Sequence, residues 1–135
     1  MLWSQNYKLQ LTILNVFPVP IPYIHIRQYS LQSVAKRVAE HSDEIDKKEW
    51  DKIDDFLRSV YSAGEDMKFI SKTSIFEPAK KEKADADIKL LQKVVQAAQG
   101  PVSKKDPVGF GTIATKADAL FEDFFDLLRD VPDEI

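Results

Sequence analysis

The chain contains no cysteine, and that absence removes several kinds of chemistry. Disulfide frameworks, zinc–thiolate centres, iron–sulfur clusters and cysteine nucleophiles all need a residue it does not have. Histidine is almost as scarce, with only His25 and His41 among 135 residues. Neither has a glutamate three positions earlier, so the Glu-x-x-His pairs of a di-iron bundle are missing. His41 and Met67 are the conceivable axial ligands for haem, but Met67 fits an apolar helix seam and needs no cofactor to explain it. Glycine is limited to four residues, and Gly109 and Gly111 lack the rest of either nucleotide-binding fingerprint. Acid neighbours such as Asp54-Asp55 and Glu122-Asp123 diverge by about 100° on a helix, so they do not converge as an acid–base pair would. The sequence therefore predicts no enzyme, no metal site and no cofactor.

Two further shortages narrow the class. The formal net charge is only −3, without the basic field of a nucleic-acid binder, so no nucleic-acid partner is expected. No apolar run approaches the roughly 18–20 residues that cross a bilayer. The most apolar early stretch, Leu9 to Phe17, is interrupted by Gln10, Thr12 and Asn15 and is followed by no small-residue cleavage site. A soluble chain is expected, either not exported or already separated from a targeting segment.

What is present divides at about residue 29. Residues 1–29 carry Lys8 and Arg27 and no acid, giving +2 and leaving −5 for the remainder. Leu9, Leu11 and Ile13 alternate with polar residues, and Pro18, Pro20 and Pro22 then occupy every second position. Such spacing opposes helix and favours polyproline II, so residues 1–29 are expected to form an extended N-terminal arm. Its apolar content, ending in Phe17, favours an arm that orders against a partner over a solvated tail.

From residue 30 to 135 the pattern is helical four times over. The first helix is expected from a Ser30 cap, with Leu31, Val34, Ala35 and Val38 on one stripe and Ser42-Asp43-Glu44 closing it. Asp46 and Glu49 have capping-box spacing, and Trp50, Ile53, Leu57, Val60, Gly64 and Met67 follow as a 3-4 seam. Gly64 on that seam predicts close approach of a neighbouring helix. The third helix is expected from Pro78 to Gln99, with Gly100-Pro101 as its stop. A fourth begins at Asp106-Pro107 or near Thr112 and carries Phe110, Ile113, Ala117, Leu120, Phe124 and Leu127. The fold expected is all-α, a four-helix up-down-up-down bundle preceded by an extended, Pro-rich N-terminal arm.

Charge is unevenly spread over those helices. Lysines crowd Lys68 to Lys93, notably Lys80, Lys81 and Lys83, whereas acids dominate Asp118 to Glu134. A lysine-rich face beside an apolar arm predicts electrostatic docking on an acidic protein surface. The candidate partner-binding residues are Phe17, Pro18, Pro20, Pro22, Lys80, Lys81 and Lys83.

The second helix also carries a resemblance. Lys48-Glu49-Trp50-Asp51-Lys52-Ile53, then Phe56-Leu57-Arg58, then Asp66-Met67-Lys68 resembles the second helix of the PsbQ family, extrinsic subunits on the lumenal side of photosystem II. The Pro-rich start, the four helices and Lys80-Lys81-Glu82-Lys83 resemble that family's overall plan; the acidic stretch Asp130 to Glu134 departs from it, which leaves the branch open, an algal one included. The resemblance implies a cofactor-free subunit in the chloroplast thylakoid lumen, peripheral to the membrane and not inserted. Such a subunit is a monomer within a larger assembly that includes the photosystem II core and other extrinsic subunits. It would stabilise the oxygen-evolving complex and its retention of calcium and chloride. The alternatives are a lumenal PsbQ-like subunit of the chloroplast NDH complex, or a helical adaptor or chaperone unrelated to photosynthesis.

Overall fold

A computed structural model describes residues 21–73 and 75–129, and every regular element among them is helical. In chain order these are α1 (Ile21–Glu40), a 3-10 turn (Ser42–Glu44), α2 (Lys47–Ser71), α3 (Pro78–Ala97), the short α4 (Gln99–Ser103) and α5 (Pro107–Arg129). Each long helix packs against two of the others: α1 on α2 and α5, and α3 on the same two. The seams meet in one shared core, with Met67, Val60, Leu91, Phe110, Phe121 and Phe124 essentially sealed from solvent.

The first helix is already formed at Ile21, the first described residue and nine positions before the expected Ser30. The expected boundary between arm and helices at 29/30 is therefore corrected: residues 21–29 are helical, and Ser30 lies inside α1 rather than capping it. Pro22 therefore lies inside α1, where proline's fixed φ already suits a helix. Tertiary burial supplies the rest of the reason. Ile24 is 0 % exposed and, with Gln28 and Leu31, extends the inner stripe backwards by two turns. Of the other arm residues, Phe17, Pro18 and Pro20 lie outside the described residues, as does the acidic stretch from Asp130.

α2 starts where its cap predicts. The Asp46 carboxylate accepts a 2.8 Å hydrogen bond from the Glu49 N–H. The reciprocal half of the capping box is not made, because Glu49 turns to α1 and receives the Arg37 guanidinium on both oxygens, at 2.9 and 3.0 Å. The seam from Trp50 to Met67 is buried throughout. At Gly64 a Cβ would come within 2.7 Å of Gln92 Cγ, so α3 does approach closely there.

The expected stop of α3 is also corrected. The helix ends at Ala97, the chain bends at Ala98, and Gly100-Pro101 sit inside α4 instead of terminating anything. Pro101 is only the third residue of that short helix, where its N–H would have had no helical acceptor. Val102 is buried, so the extra turn adds to the core. Lys105 then takes a left-handed φ of 54° and delivers the chain to Asp106. α5 starts at the earlier of the two expected points, with Asp106 Oδ1 accepting from the Gly109 N–H at 3.1 Å. A Cβ at position 109 would collide with that carboxylate, so glycine lets the cap close.

Candidate docking site

Two adjacent phenylalanines near the end of α5 fix the geometry of one end of the molecule. Phe124 and Phe125 leave the helix about 100° apart, so they serve different neighbours. The edge of Phe76, just before α3, meets Phe124 at 6.0 Å and 81°. His25, near the start of α1, stacks on Phe125 at 3.7 Å and 4°. The beginnings of α1 and α3 are thereby held on one turn of α5. At the opposite end Trp50, opening α2, meets Phe110, opening α5, edge-on at 6.4 Å.

The sequence placed His25 in an extended arm; it is instead part of α1 and one face of its ring is covered. Burial lowers its pKa below the ordinary histidine value, partly opposed by Glu122, with Arg129 adding to the depression. His41 Nδ1 lies 3.2 Å from Glu44 Oε2 on the surface. Among the described residues no group of three or more His, Asp or Glu side chains is placed to hold a metal ion. The acid pair Asp54-Asp55 faces Arg58, at 3.6 and 2.9 Å.

Lys80, Lys81 and Lys83 occupy the first two turns of α3, at the end that also holds the start of α1. Local energetics disfavour that arrangement. A helix N-terminus carries about half a positive charge, and cations beside it are repelled by roughly 0.3–1 kcal/mol each. The N-cap residue Glu77 offers no side-chain bond to the open N–H groups, and the first turn contains no acid. Relief comes from one turn further on and from α2. Lys81 Nζ reaches Asp85 Oδ2 at 3.0 Å, and the buried Ser71 hydroxyl of α2 donates to Asp85 Oδ1. The Ser71 bond holds the Asp85 carboxyl below its ordinary pKa, with Lys81 contributing and burial opposing. Asp87 behaves oppositely: burial pushes its carboxyl up, Asp123 of α5 adds to the rise, and Lys83 counters it. Its Oδ2 is buried without a hydrogen-bond partner among the described residues.

Of the seven candidate contact residues, the structure brings Pro22 and the three lysines to the same end of the molecule; Phe17, Pro18 and Pro20 are not described. Residues the sequence reading passed over lie on α1. Gln28, buried on the inner stripe, donates to Asp118 at 3.1 Å and Glu122 at 2.7 Å, so part of the acidic face of α5 is spent inside the molecule. Arg27, Ser30, Val34 and Arg37 recur at helical spacing and form one wall of a groove against α2. That periodicity was visible in the sequence once residues 21–29 are taken as helix.

No helix among the described residues is long and apolar enough to cross a membrane. No protein-family model, curated protein or solved structure matches this chain.

Proposed function

We propose that this chain is a non-catalytic docking subunit, an up-down-up-down four-helix bundle that binds a larger assembly through its N-terminal segment and the lysines of α3. One observation carries the reading. His25, close to the first described residue of α1, packs on the same turn of α5 that receives Phe76, beside a start of α3 that has no side-chain cap and is crowded with Lys80, Lys81 and Lys83. The point from which the apolar, proline-punctuated sequence of residues 1–20 departs is therefore at the same end as a locally unfavourable cluster of cations. Departures from local stability rules concentrate where function requires them. The pairwise packing of neighbouring helices through short connections supports the up-down-up-down order.

The host follows from the resemblance of α2 to the PsbQ family. On that reading the chain sits peripherally on the lumenal face of photosystem II in the thylakoid lumen. It contacts the core and other extrinsic subunits and helps retain calcium and chloride at the oxygen-evolving complex, with no cofactor of its own.

The test is rebinding to salt-washed photosystem II membranes. The truncation must stop before Ile21, because removing Ile24 would strip a buried residue from α1. Deleting residues 1–20, and separately replacing Lys80, Lys81 and Lys83 with Gln, should each abolish or strongly weaken rebinding and the associated oxygen evolution. Both variants should keep a cooperative melting transition of the helices within residues 21–129. Full rebinding by both variants would defeat the docking assignment. Failure of the intact chain to bind, together with capture by the NDH complex, would move it to the other host.

A further inference from the structure

A groove of about 680 Å³ runs between α1 and α2, away from the lysines of α3. Its α1 wall extends from Arg27 to Arg37, ten residues or roughly 15 Å of helix. Val34, Ile53 and Phe56 form its apolar floor, and Val34 and Phe56 are only half-buried. Four cations border it, Arg27, Arg37, Lys48 and Lys52, against two acids, Asp46 and Glu49.

Both acids are already engaged. Asp46 caps α2, and Glu49 holds the Arg37 fork. That fork depresses the Glu49 carboxyl below its ordinary pKa, against the opposing effect of burial. Arg27, Lys48 and Lys52 make no ion pair with any acid among the described residues. Arg27 instead lies over the Tyr23 ring, 4.4 Å from its centre, and bonds the Tyr23 hydroxyl, while its Nε finds no acceptor. Asp66 of α2 faces it, but burial pushes that carboxyl up more than Arg27 pulls it down. The groove is therefore positive along both rims and apolar at the bottom, in a chain whose net charge is −3.

We propose that this groove docks an acidic, amphipathic segment of a partner protein, its apolar side on Val34, Ile53 and Phe56 and its carboxylates on Arg27, Lys48 and Lys52. The spacing decides against a small anion. Arg27 stands at one end of the groove and Lys48 and Lys52 at the other, so a single carboxylate or phosphate reaches only one group. A helical segment of about ten residues spans both. A second copy of this chain would have to meet the groove with exposed acids from a different face, a heterologous contact. Such a contact builds rings or filaments rather than a two-fold dimer. The inference is independent of the host complex and of the lysines of α3.

The experiment uses the full chain and labelled helical peptides of about ten residues, matched to the groove length. The first probe places Glu on one face and Leu and Phe on the other. The second substitutes Lys for each Glu, and the third substitutes Ser for each apolar residue. Fluorescence anisotropy should show the first bound roughly tenfold or more tightly than either control, with affinity falling as salt rises. The K48E/K52E variant should lose about tenfold or more in affinity, and K48Q/K52Q an intermediate amount, since each Lys is a rim charge. Both lysines are exposed, so circular dichroism should match the parent. Replacing Lys80, Lys81 and Lys83 should leave peptide binding unchanged, which separates this surface from the lysine end. Equal binding of the first two peptides, or undiminished binding by K48E/K52E, would overturn the proposal. So would concentration-dependent self-association abolished by K48E/K52E, which would make the occupant a second copy.

Discussion

At one end of the molecule Asp46 and Asp106 each close a helix start with a side-chain bond, and Trp50 and Phe110 seal the core behind them. At the other end α3 begins with an idle Glu77 and a run of lysines, while Phe76, Phe124, Phe125 and His25 do the sealing. Aromatic packing is comparable at the two ends, so the difference is confined to caps and charge. The capped end closes both helix starts with an aspartate, even though Lys47 and Lys48 open α2 and α5 has no acid in its first turn. At the lysine end α3 has no such cap, and its start is held by contacts such as Ser71 and Lys81 on Asp85.

The largest effects should come from breaking what the ends share. Trp50→Ala and Phe124→Ala each truncate a buried aromatic, and each should lose about 3–5 kcal/mol in chemical denaturation. Domains of this size hold only about 5–15 kcal/mol, so both variants should be markedly less thermostable. A mild effect at Phe124 alone would mean that the lysine end is loosely sealed and the two ends are not comparable.

The middle of the molecule provides the next test. Gly64→Ala should cost about 1–3 kcal/mol through overpacking against Gln92, offset by the roughly 1 kcal/mol gained in helix propensity. Gln92 has little freedom to yield, since its amide donates to Tyr61 O at 3.2 Å and Glu65 Oε2 at 2.7 Å. Shortening Gln92 to Ala in the same protein should recover part of the loss; a stabilised single variant would show that α3 relaxes freely.

Caps distinguish the ends directly. Asp46→Ala and Asp106→Ala should each lose about 1 kcal/mol, whereas Glu77→Ala should change the melting temperature very little because no cap is lost. Glu77→Ser should stabilise α3 by up to about 1 kcal/mol if the hydroxyl takes up the open N–H groups. Equal losses at all three positions would erase the contrast.

The smallest effects are pH-dependent and confined to the lysine end. His25 has its pKa lowered below 6.5, so just below that pH the unfolded chain binds more protons than the folded one. Stability should then rise with pH through that window, and be lost as acidification carries His25 through its folded pKa. His25→Phe should keep the stack on Phe125 and flatten this part of the stability–pH curve. Asp87 has the opposite sign. Its pKa is raised above 3.8, so its contribution is present at acid pH and is lost as pH rises through the folded value. Asp87→Asn should therefore stabilise the protein slightly at neutral pH and have no effect in acid.

The helical class, the burial of the α2 seam, the Asp46 cap and the close approach at Gly64 were all legible in the residues, because each follows from spacing along one helix. Two boundaries were not. Pro18, Pro20 and Pro22 read as a continuous extended run, yet Pro22 lies inside α1, where Ile24 and Gln28 have somewhere to be buried. Gly100-Pro101 read as a stop, yet a second short helix accepts both once the chain has bent. The lysines of α3 were visible as a charge run, while their position beside the start of α1 was not. The groove of Arg27, Lys48 and Lys52 was hidden too, since its walls are separate helices and its charge excess depends on which acids are engaged elsewhere. Local periodicity and capping act within a few residues, so the sequence by itself determined which segments are helices and which faces turn inward. Which helix ends share a side, that residues 21–29 join α1 and which cations lack an ion-paired acid were decided by tertiary structure alone, because burial and charge pairing depend on residues distant in the chain.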